Sequence, residues 1–200
     1  MLSVVRDPKI AAKLTPTYPI GTKRLCAVTG YFETFNRDNV SLVDISETPI
    51  EKITPTGAIV GDKEIPLDAL VFATGFDAIT GALLAVNMRV KDGVDLRSKW
   101  SAGPRAYLGV MTAGLPNLFM VTGPGSPSIL SNVVVSIEQH VNLIADFLTQ
   151  MRANGHNRIE ALPQAEDDWA RHVDELANSS LMPQAKSWYT GANIPGKPRV

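Results

Sequence analysis

The segment 118–148 constrains the fold of this chain more than any other. It opens with an apolar run at 118–121, which predicts a strand buried on both faces. A turn rich in glycine and proline follows at 122–128. Apolar side chains then recur at spacings of three and four residues: Ile137, Val141, Ile144 and Leu148. This stripe predicts a helix that ends near Asn154-Gly155, and strand, turn and helix together indicate an α/β fold.

The rest of the chain alternates short strands with one more helix. Proline at positions 8, 16 and 19 predicts an irregular start over the first 35 residues. Apolar stretches separated by turn signals predict strands at 40–44, 50–53, 58–60, 64–65 and 70–73. A second helix is expected from Pro163, with acidic residues near its N-terminus and the following apolar stripe: Leu162, Ala165, Trp169, Val173 and Leu176. The tail at 187–200 is expected to be a loop.

Composition excludes several classes of function. The chain has 200 residues, 44% of them hydrophobic, and a net charge of −1. Nucleic acids and anionic membranes require a concentrated basic surface, so neither is expected as a partner. A single cysteine, Cys26, allows no intramolecular disulfide and suits the cytoplasm. The three histidines lie outside metal-ligand spacing, so no metal site is expected.

Four segments could carry chemistry, and each has a simpler interpretation. The turn at 122–128 and the helix behind it could bind negative charge, or could be a connection without a ligand. Lys23 and Arg24 could contact phosphate and stabilise an oxyanion, or could be ordinary surface charges. Residues 73–77 could form a crossover between domains or a core strand with its turn. The indole of Trp188 could contact a nucleotide ribose or pack the tail onto the domain.

Taken together, seven segments resemble the Baeyer–Villiger flavin monooxygenases of the phenylacetone and cyclohexanone monooxygenase type. They occur in the family's order and spacing at 21–25, 31–37, 71–77, 103–109, 123–128, 136–140 and 187–197. The resemblance implies an α/β flavoprotein with two dinucleotide-binding domains of the Rossmann type. It implies FAD and NADPH as cofactors, with O₂ and a ketone as the other reactants. In the family the ketone becomes an ester or lactone through a C4a-peroxyflavin.

The resemblance also implies a role for individual residues. Arg24 matches the catalytic arginine, which stabilises negative charge during oxygenation, and Lys23 matches the lysine that binds the 2′-phosphate of NADPH. Val133 matches a residue whose backbone contacts the flavin, and Trp188 matches a tryptophan that touches NADP. The substrate pocket is expected to include three consecutive residues: Ser128, Ile129 and Leu130.

The departure from the family pattern is large. The two G-x-G-x-x-G sites and the histidine-containing signature of the family's first half are absent from the sequence. The chain is therefore expected to be a C-terminal fragment that begins at an internal methionine. Residues 1–75 would be the end of the NADPH domain and residues 76–200 the later part of the FAD domain. Its partner would be the missing N-terminal half of the same enzyme.

Two alternatives remain at this point. One is a related flavin monooxygenase that oxidises nitrogen or sulfur. The other is a non-catalytic fragment, because half of each nucleotide site is absent and we expect the isolated chain to be inactive.

Overall fold

A computed structural model describes residues 3–89, 93, 95–126 and 131–197. The chain forms two compact units. The first consists of Met1–Thr17 and Cys26–Gly75, and the second of Tyr18–Leu25 and Phe76–Val200. Assignment of these units to the NADPH and FAD domains stays a prediction.

The first unit begins with a helix where the sequence predicted irregular chain. Helix α1 spans Pro8–Leu14, and the Asp7 side chain caps it by accepting hydrogen bonds from the backbone N–H groups of Lys9 and Ile10. Pro8 is tolerated at the first helical position because the N–H that it lacks would have no partner within the helix. The expectation that Pro8 breaks any helix was wrong for this reason. A short helix α2 follows at Tyr31–Thr34.

The predicted β meander is confirmed in the first unit. Strands β1 (Ile50–Thr54), β2 (Gly57–Val60) and β3 (Lys63–Pro66) form an antiparallel sheet in the order β1-β2-β3. Gly57 pairs with Thr54 on one side and Pro66 on the other. A side chain at Gly57 would collide with the backbone of Ile65, so this position requires glycine.

Three other strand predictions were wrong. Residues 40–44, 70–73 and 118–121 belong to no strand in the structure, although each is strongly apolar. A strand needs a neighbour for its backbone hydrogen bonds, and among the described residues these segments have no ladder partner. Val71 shows the consequence, since 87% of its surface is exposed.

The regular elements of the second unit, among the described residues, are helices. Two short helices, α3 (Gly81–Ala85) and α4 (Leu96–Lys99), precede the two long helices, α5 (Val133–Ala153) and α6 (Pro163–Asn178). Both long helices were predicted, including the end of α5 at Asn154. The expected tail loop at 187–200 contains one single turn of 3₁₀ helix, Trp188–Thr190, and another such turn, Met182–Gln184, precedes it. No helix in the described part of the chain is both long and apolar enough to cross a membrane.

Helix α5 buries a different face from the one that the sequence indicated. Of the predicted stripe, only Ile144 packs in the core, and Ile137, Val141 and Leu148 remain exposed. The buried face is formed by His140, Leu143, Ile144 and Phe147. It packs against a cluster of Val110, Met111 and Ala161, with Phe147 stacked on Phe119. A helix apolar on two sides does not reveal from sequence alone which side this chain covers.

Helix α6 carries a buried carboxylate that the sequence had placed among helix-dipole residues. Only 3% of Glu166 is exposed. Its two oxygens accept hydrogen bonds from the Lys99 ammonium (3.1 and 2.9 Å), the Thr112 hydroxyl (2.7 Å) and the Ala113 N–H (2.9 Å). Glu166 therefore joins α4, the loop at 112–113 and α6, and we call this group the Glu166 network.

Candidate functional site

Arg24 lies at the N-terminus of helix α5. Its Nη1 donates a hydrogen bond of 3.4 Å to the carbonyl of Ser131, one residue before the N-cap Asn132. The guanidinium is exposed, and it carries its charge at any relevant pH. The N-terminal end of a helix adds a partial positive charge and free N–H groups. The structure thus brings Arg24 close to the first residue of α5, Val133, in a region suited to negative charge.

A tight turn holds the segment that carries Lys23 and Arg24. The Thr22 side chain is buried, and both its N–H and its hydroxyl donate to the Pro19 carbonyl, at 3.3 and 2.7 Å. The neighbouring Gly21 has φ +80°, which favours glycine. The Lys23 ammonium lies 4.2 Å from the centre of the Tyr18 ring, a cation–π contact. Both cations are therefore carried by a preformed turn.

The turn at 122–126, called here the Gly123 turn, precedes helix α5 and is held by three backbone contacts. The Thr122 N–H donates to His140 Nδ1 (3.0 Å), and the Gly123 N–H donates to the Gly109 carbonyl (2.9 Å). The Gly125 carbonyl accepts from the indole N–H of Trp169 on α6 (3.3 Å). Ser128, Ile129 and Leu130, predicted to line the substrate pocket, lie outside the described residues.

Trp188 lies on the last 3₁₀ turn, where it is exposed and stacks on Tyr189 at 3.8 Å between ring centres. The buried Ser187 caps this turn by accepting the Tyr189 N–H at 3.2 Å. The tail is also joined to residues 77–78, because the Lys197 ammonium forms an ion pair with Asp77 and donates to the Ala78 carbonyl at 2.9 Å. An exposed indole on an anchored tail can accept a planar or sugar ligand on its open face.

Comparison with known proteins gives a consistent set of relatives. No family model matches the chain. Cyclopentanone 1,2-monooxygenase from Comamonas sp. is 43% identical over 196 residues, which is 96% of this chain and 36% of that protein. Cyclohexanone 1,2-monooxygenase from Acinetobacter sp. is 40% identical over 97% of this chain and 35% of that protein. The crystal structure of cyclohexanone monooxygenase from Rhodococcus sp. Phi1 bound to NADP⁺ covers the whole chain with a TM-score of 0.92 at 40% identity.

The chain is similar to Baeyer–Villiger monooxygenases over nearly its whole length. It spans about a third of the length of the family members that it matches. This agrees with the expectation of a C-terminal fragment, and the expected partial two-domain flavoprotein fold is confirmed. The roles of Lys23, Arg24, Val133 and Trp188 stay predictions.

Two buried polar groups of this chain were not singled out from its sequence. His140 was expected not to bind a metal, and Glu166 was placed among the acidic residues that suit the dipole at the start of α6. The only available signal for His140 was its spacing from Ile144 and Phe147, which places the three on one face of α5. Glu166 gave no such signal, because its partners Lys99 and Thr112 are distant in sequence.

His140 predicts an acid-sensitive contact at the Gly123 turn. Burial lowers the pKa of His140 below its ordinary value of 6.5, because the charged form loses solvation. The unfolded chain therefore binds a proton at His140 more readily than the folded chain does. The stabilisation of the folded state by neutral His140 is complete above about pH 6.5 and is lost as the pH falls toward the folded-state pKa. We expect the Thr122 amide to exchange faster, relative to its intrinsic rate, at about pH 5.5 than at about pH 7.5. Hydrogen–deuterium exchange measures this.

His140→Asn is the control for that measurement, because asparagine offers an acceptor near the Nδ1 position and does not titrate. Exchange at Thr122 in this variant should lose its extra acceleration below about pH 6.5. An identical pH dependence in the two proteins would contradict the assignment to His140.

Proposed function

We propose that this chain supplies part of an FAD- and NADPH-dependent monooxygenase that uses O₂ to convert ketones to esters or lactones. The observation that carries the proposal is the position of Arg24 at the N-terminus of α5. Relatives that share 40–43% identity are ketone monooxygenases by name, and solved neighbours contain FAD and NADP. We infer that residues 76–200 belong to a Rossmann-type FAD domain and residues 1–75 to the NADPH domain.

The residues around α5 fit a flavin. A fixed guanidinium and the first N–H groups of a long helix present positive charge in one place, as the electron-rich end of a flavin ring requires. FAD, when bound, would supply the activation of O₂. Arg24 would hold the negative charge that develops on oxygen while the ketone carbonyl is attacked. Val133, at the first position of α5, would contact the ring through its backbone.

The preformed turn at 19–24 and the tail would bind NADPH. We infer that Lys23 pairs with the 2′-phosphate and that Trp188 covers the nucleotide with its exposed face. Ser128, Ile129 and Leu130 would line the ketone pocket. The part of the relatives that this chain does not match would complete both cofactor sites, so this chain alone is expected to be inactive. It is expected to be cytoplasmic, with no nucleic-acid or membrane partner.

A hybrid enzyme tests the proposal. In it, this chain replaces the matching segment of cyclopentanone 1,2-monooxygenase. We expect the hybrid to bind FAD, oxidise NADPH and form lactones from cyclopentanone or cyclohexanone, measured by gas chromatography. A hybrid that binds FAD and oxidises NADPH but makes no ester from any ketone would refute the proposed reaction.

Lys23→Ala in the hybrid should raise the KM for NADPH roughly 10- to 100-fold and leave the KM for NADH nearly unchanged. The reason is that only NADPH carries the 2′-phosphate that the ammonium would pair with. Steady-state kinetics with each coenzyme measure the effect. Lys9→Ala, which removes an exposed lysine on α1, is the control. Equal effects of Lys23→Ala on both coenzymes would remove Lys23 from the phosphate site.

Nitrogen oxidation is the second candidate, because one relative supports it. Phenazine N-monooxygenase PhzNO1 from Lysobacter antibioticus is 40% identical over 97% of this chain. Supplying the hybrid with phenazine and with ketones in parallel separates the two reactions by their products.

A further inference from the structure

The Gly123 turn contains a strained residue. Thr122 has φ +53°, in the left-handed region that a β-branched side chain rarely adopts. Such a conformation costs on the order of 1–3 kcal/mol and persists only where neighbouring contacts enforce it. The hydroxyl of Thr122 donates to the adjacent Val121 carbonyl (2.7 Å), which does not join the turn to another element. A hydrogen bond from Thr122 to another element is made by its backbone N–H.

His140 provides that contact. Its Nδ1 accepts the Thr122 N–H at 3.0 Å, which requires this nitrogen to be unprotonated. The imidazole is only 8% exposed and lies on the buried face of α5 beside Leu143 and Ile144. Since α5 is a regular helix of 21 residues, His140 has a fixed place relative to its N-terminus. The hydrogen bond thus joins the strained turn to α5, the helix that begins two residues after Ser131, the acceptor of Arg24.

The Gly123 turn has little freedom elsewhere. The Gly109 carbonyl holds the Gly123 N–H at 2.9 Å, and a side chain at Gly109 would collide with Ser126. Trp169 holds the Gly125 carbonyl. His140 supplies a hydrogen bond that connects this turn to α5, and a shift of α5 would move the adjacent Ser131, whose carbonyl accepts from Arg24.

We propose that His140 is a positioning residue for oxygenation: its Nδ1 fixes the Gly123 turn against α5 and thereby places Arg24 at the helix N-terminus. This proposal rests on the function proposed above. His140 touches neither cofactor nor ketone in it, and it acts through the backbone of Thr122. Displacement of a catalytic group by about 1 Å can cost about 100-fold in rate. Displacement of Arg24 should therefore slow oxygenation while NADPH oxidation continues, so that less ester forms per NADPH consumed.

Two variants of the hybrid enzyme test the proposal. His140→Leu replaces the imidazole with an apolar side chain of similar size and removes the hydrogen-bond acceptor. His140→Asn retains an acceptor near the position of Nδ1. We expect His140→Leu to lower ester formation about 10- to 100-fold with NADPH oxidation within about two-fold of the parent, and His140→Asn to restore most of the ester. Hydrogen exchange at Thr122 should lose protection in His140→Leu and keep it in His140→Asn.

The two measurements separate the possible failures. A parent hybrid that makes no ester contradicts the proposed function, and Thr122 exchange then still tests the His140 contact. Full ester formation by His140→Leu overturns the positioning role. An equal loss of ester formation in both variants, with Thr122 still protected in His140→Asn, also overturns the positioning role. The hydrogen-bond acceptor at position 140 would then be irrelevant to ester formation. Unchanged Thr122 protection in His140→Leu overturns the contact itself.

Discussion

Arg24→Ala in the hybrid enzyme should abolish ester formation while NADPH still reduces the flavin. Removing one donor that stabilises a developing oxyanion typically costs about 10²–10³ in kcat, and a full positive charge at this position should reach the upper end. Reduction requires no stabilised oxyanion, so it should persist. Rapid-mixing absorbance follows reduction, and gas chromatography follows the ester.

Arg24→Lys refines that experiment. Lysine keeps the charge but lacks the planar fork that lets arginine reach the Ser131 carbonyl and a ligand together. We expect it to recover only a small part of the lost activity. Unchanged ester formation in Arg24→Ala would remove Arg24 from the reaction. Simultaneous loss of flavin reduction would indicate a structural role for the turn at 19–24 instead.

The second large effect is expected at Glu166, where replacement by leucine should destabilise the protein by about 3–5 kcal/mol. The substitution leaves the Lys99 ammonium largely buried without its carboxylate, and it removes acceptors from Thr112 and Ala113. Lys99 still donates to the Ala113 carbonyl at 2.6 Å, and this hydrogen bond compensates only a small part of the lost stability. Thermal release of FAD from the hybrid enzyme measures the loss as a lower unfolding temperature.

Two further variants test whether the buried charge causes that loss of stability. Removing both charges in Lys99→Met/Glu166→Leu should recover much of the stability, because a buried pair replaced by apolar side chains is often nearly neutral. Asp168→Asn on the same helix breaks the exposed ion pair with Arg171 and should cost about 1 kcal/mol or less. A loss in Glu166→Leu no larger than in Asp168→Asn would show that the Glu166 network does not stabilise the fold.

Local patterns of the sequence correctly predicted those elements that depend on contacts near in the chain. Helix α5 ends where Asn154-Gly155 indicated, and α6 begins at Pro163. The β meander formed because its turns lie between adjacent strands. The family resemblance came from ordered motifs over most of the chain, and the relatives confirm it.

Predictions that required distant partners failed or stay untested. Residues 70–73 and 118–121 have the composition of buried strands, but a strand forms only where a neighbour supplies hydrogen bonds. The buried face of α5 could not be chosen because two of its sides are apolar. The roles of Lys23, Arg24, Val133 and Trp188 stay predictions.

By itself, the sequence determined the family resemblance, the two long helices and Arg24 as the residue expected to carry the chemistry. Only the tertiary structure decided that Arg24 meets the carbonyl before α5, that His140 holds Thr122 and that Glu166 is buried against Lys99. The physical reason is sequence separation. These contacts join residues 107, 18 and 67 positions apart, and their formation depends on packing that no local pattern encodes.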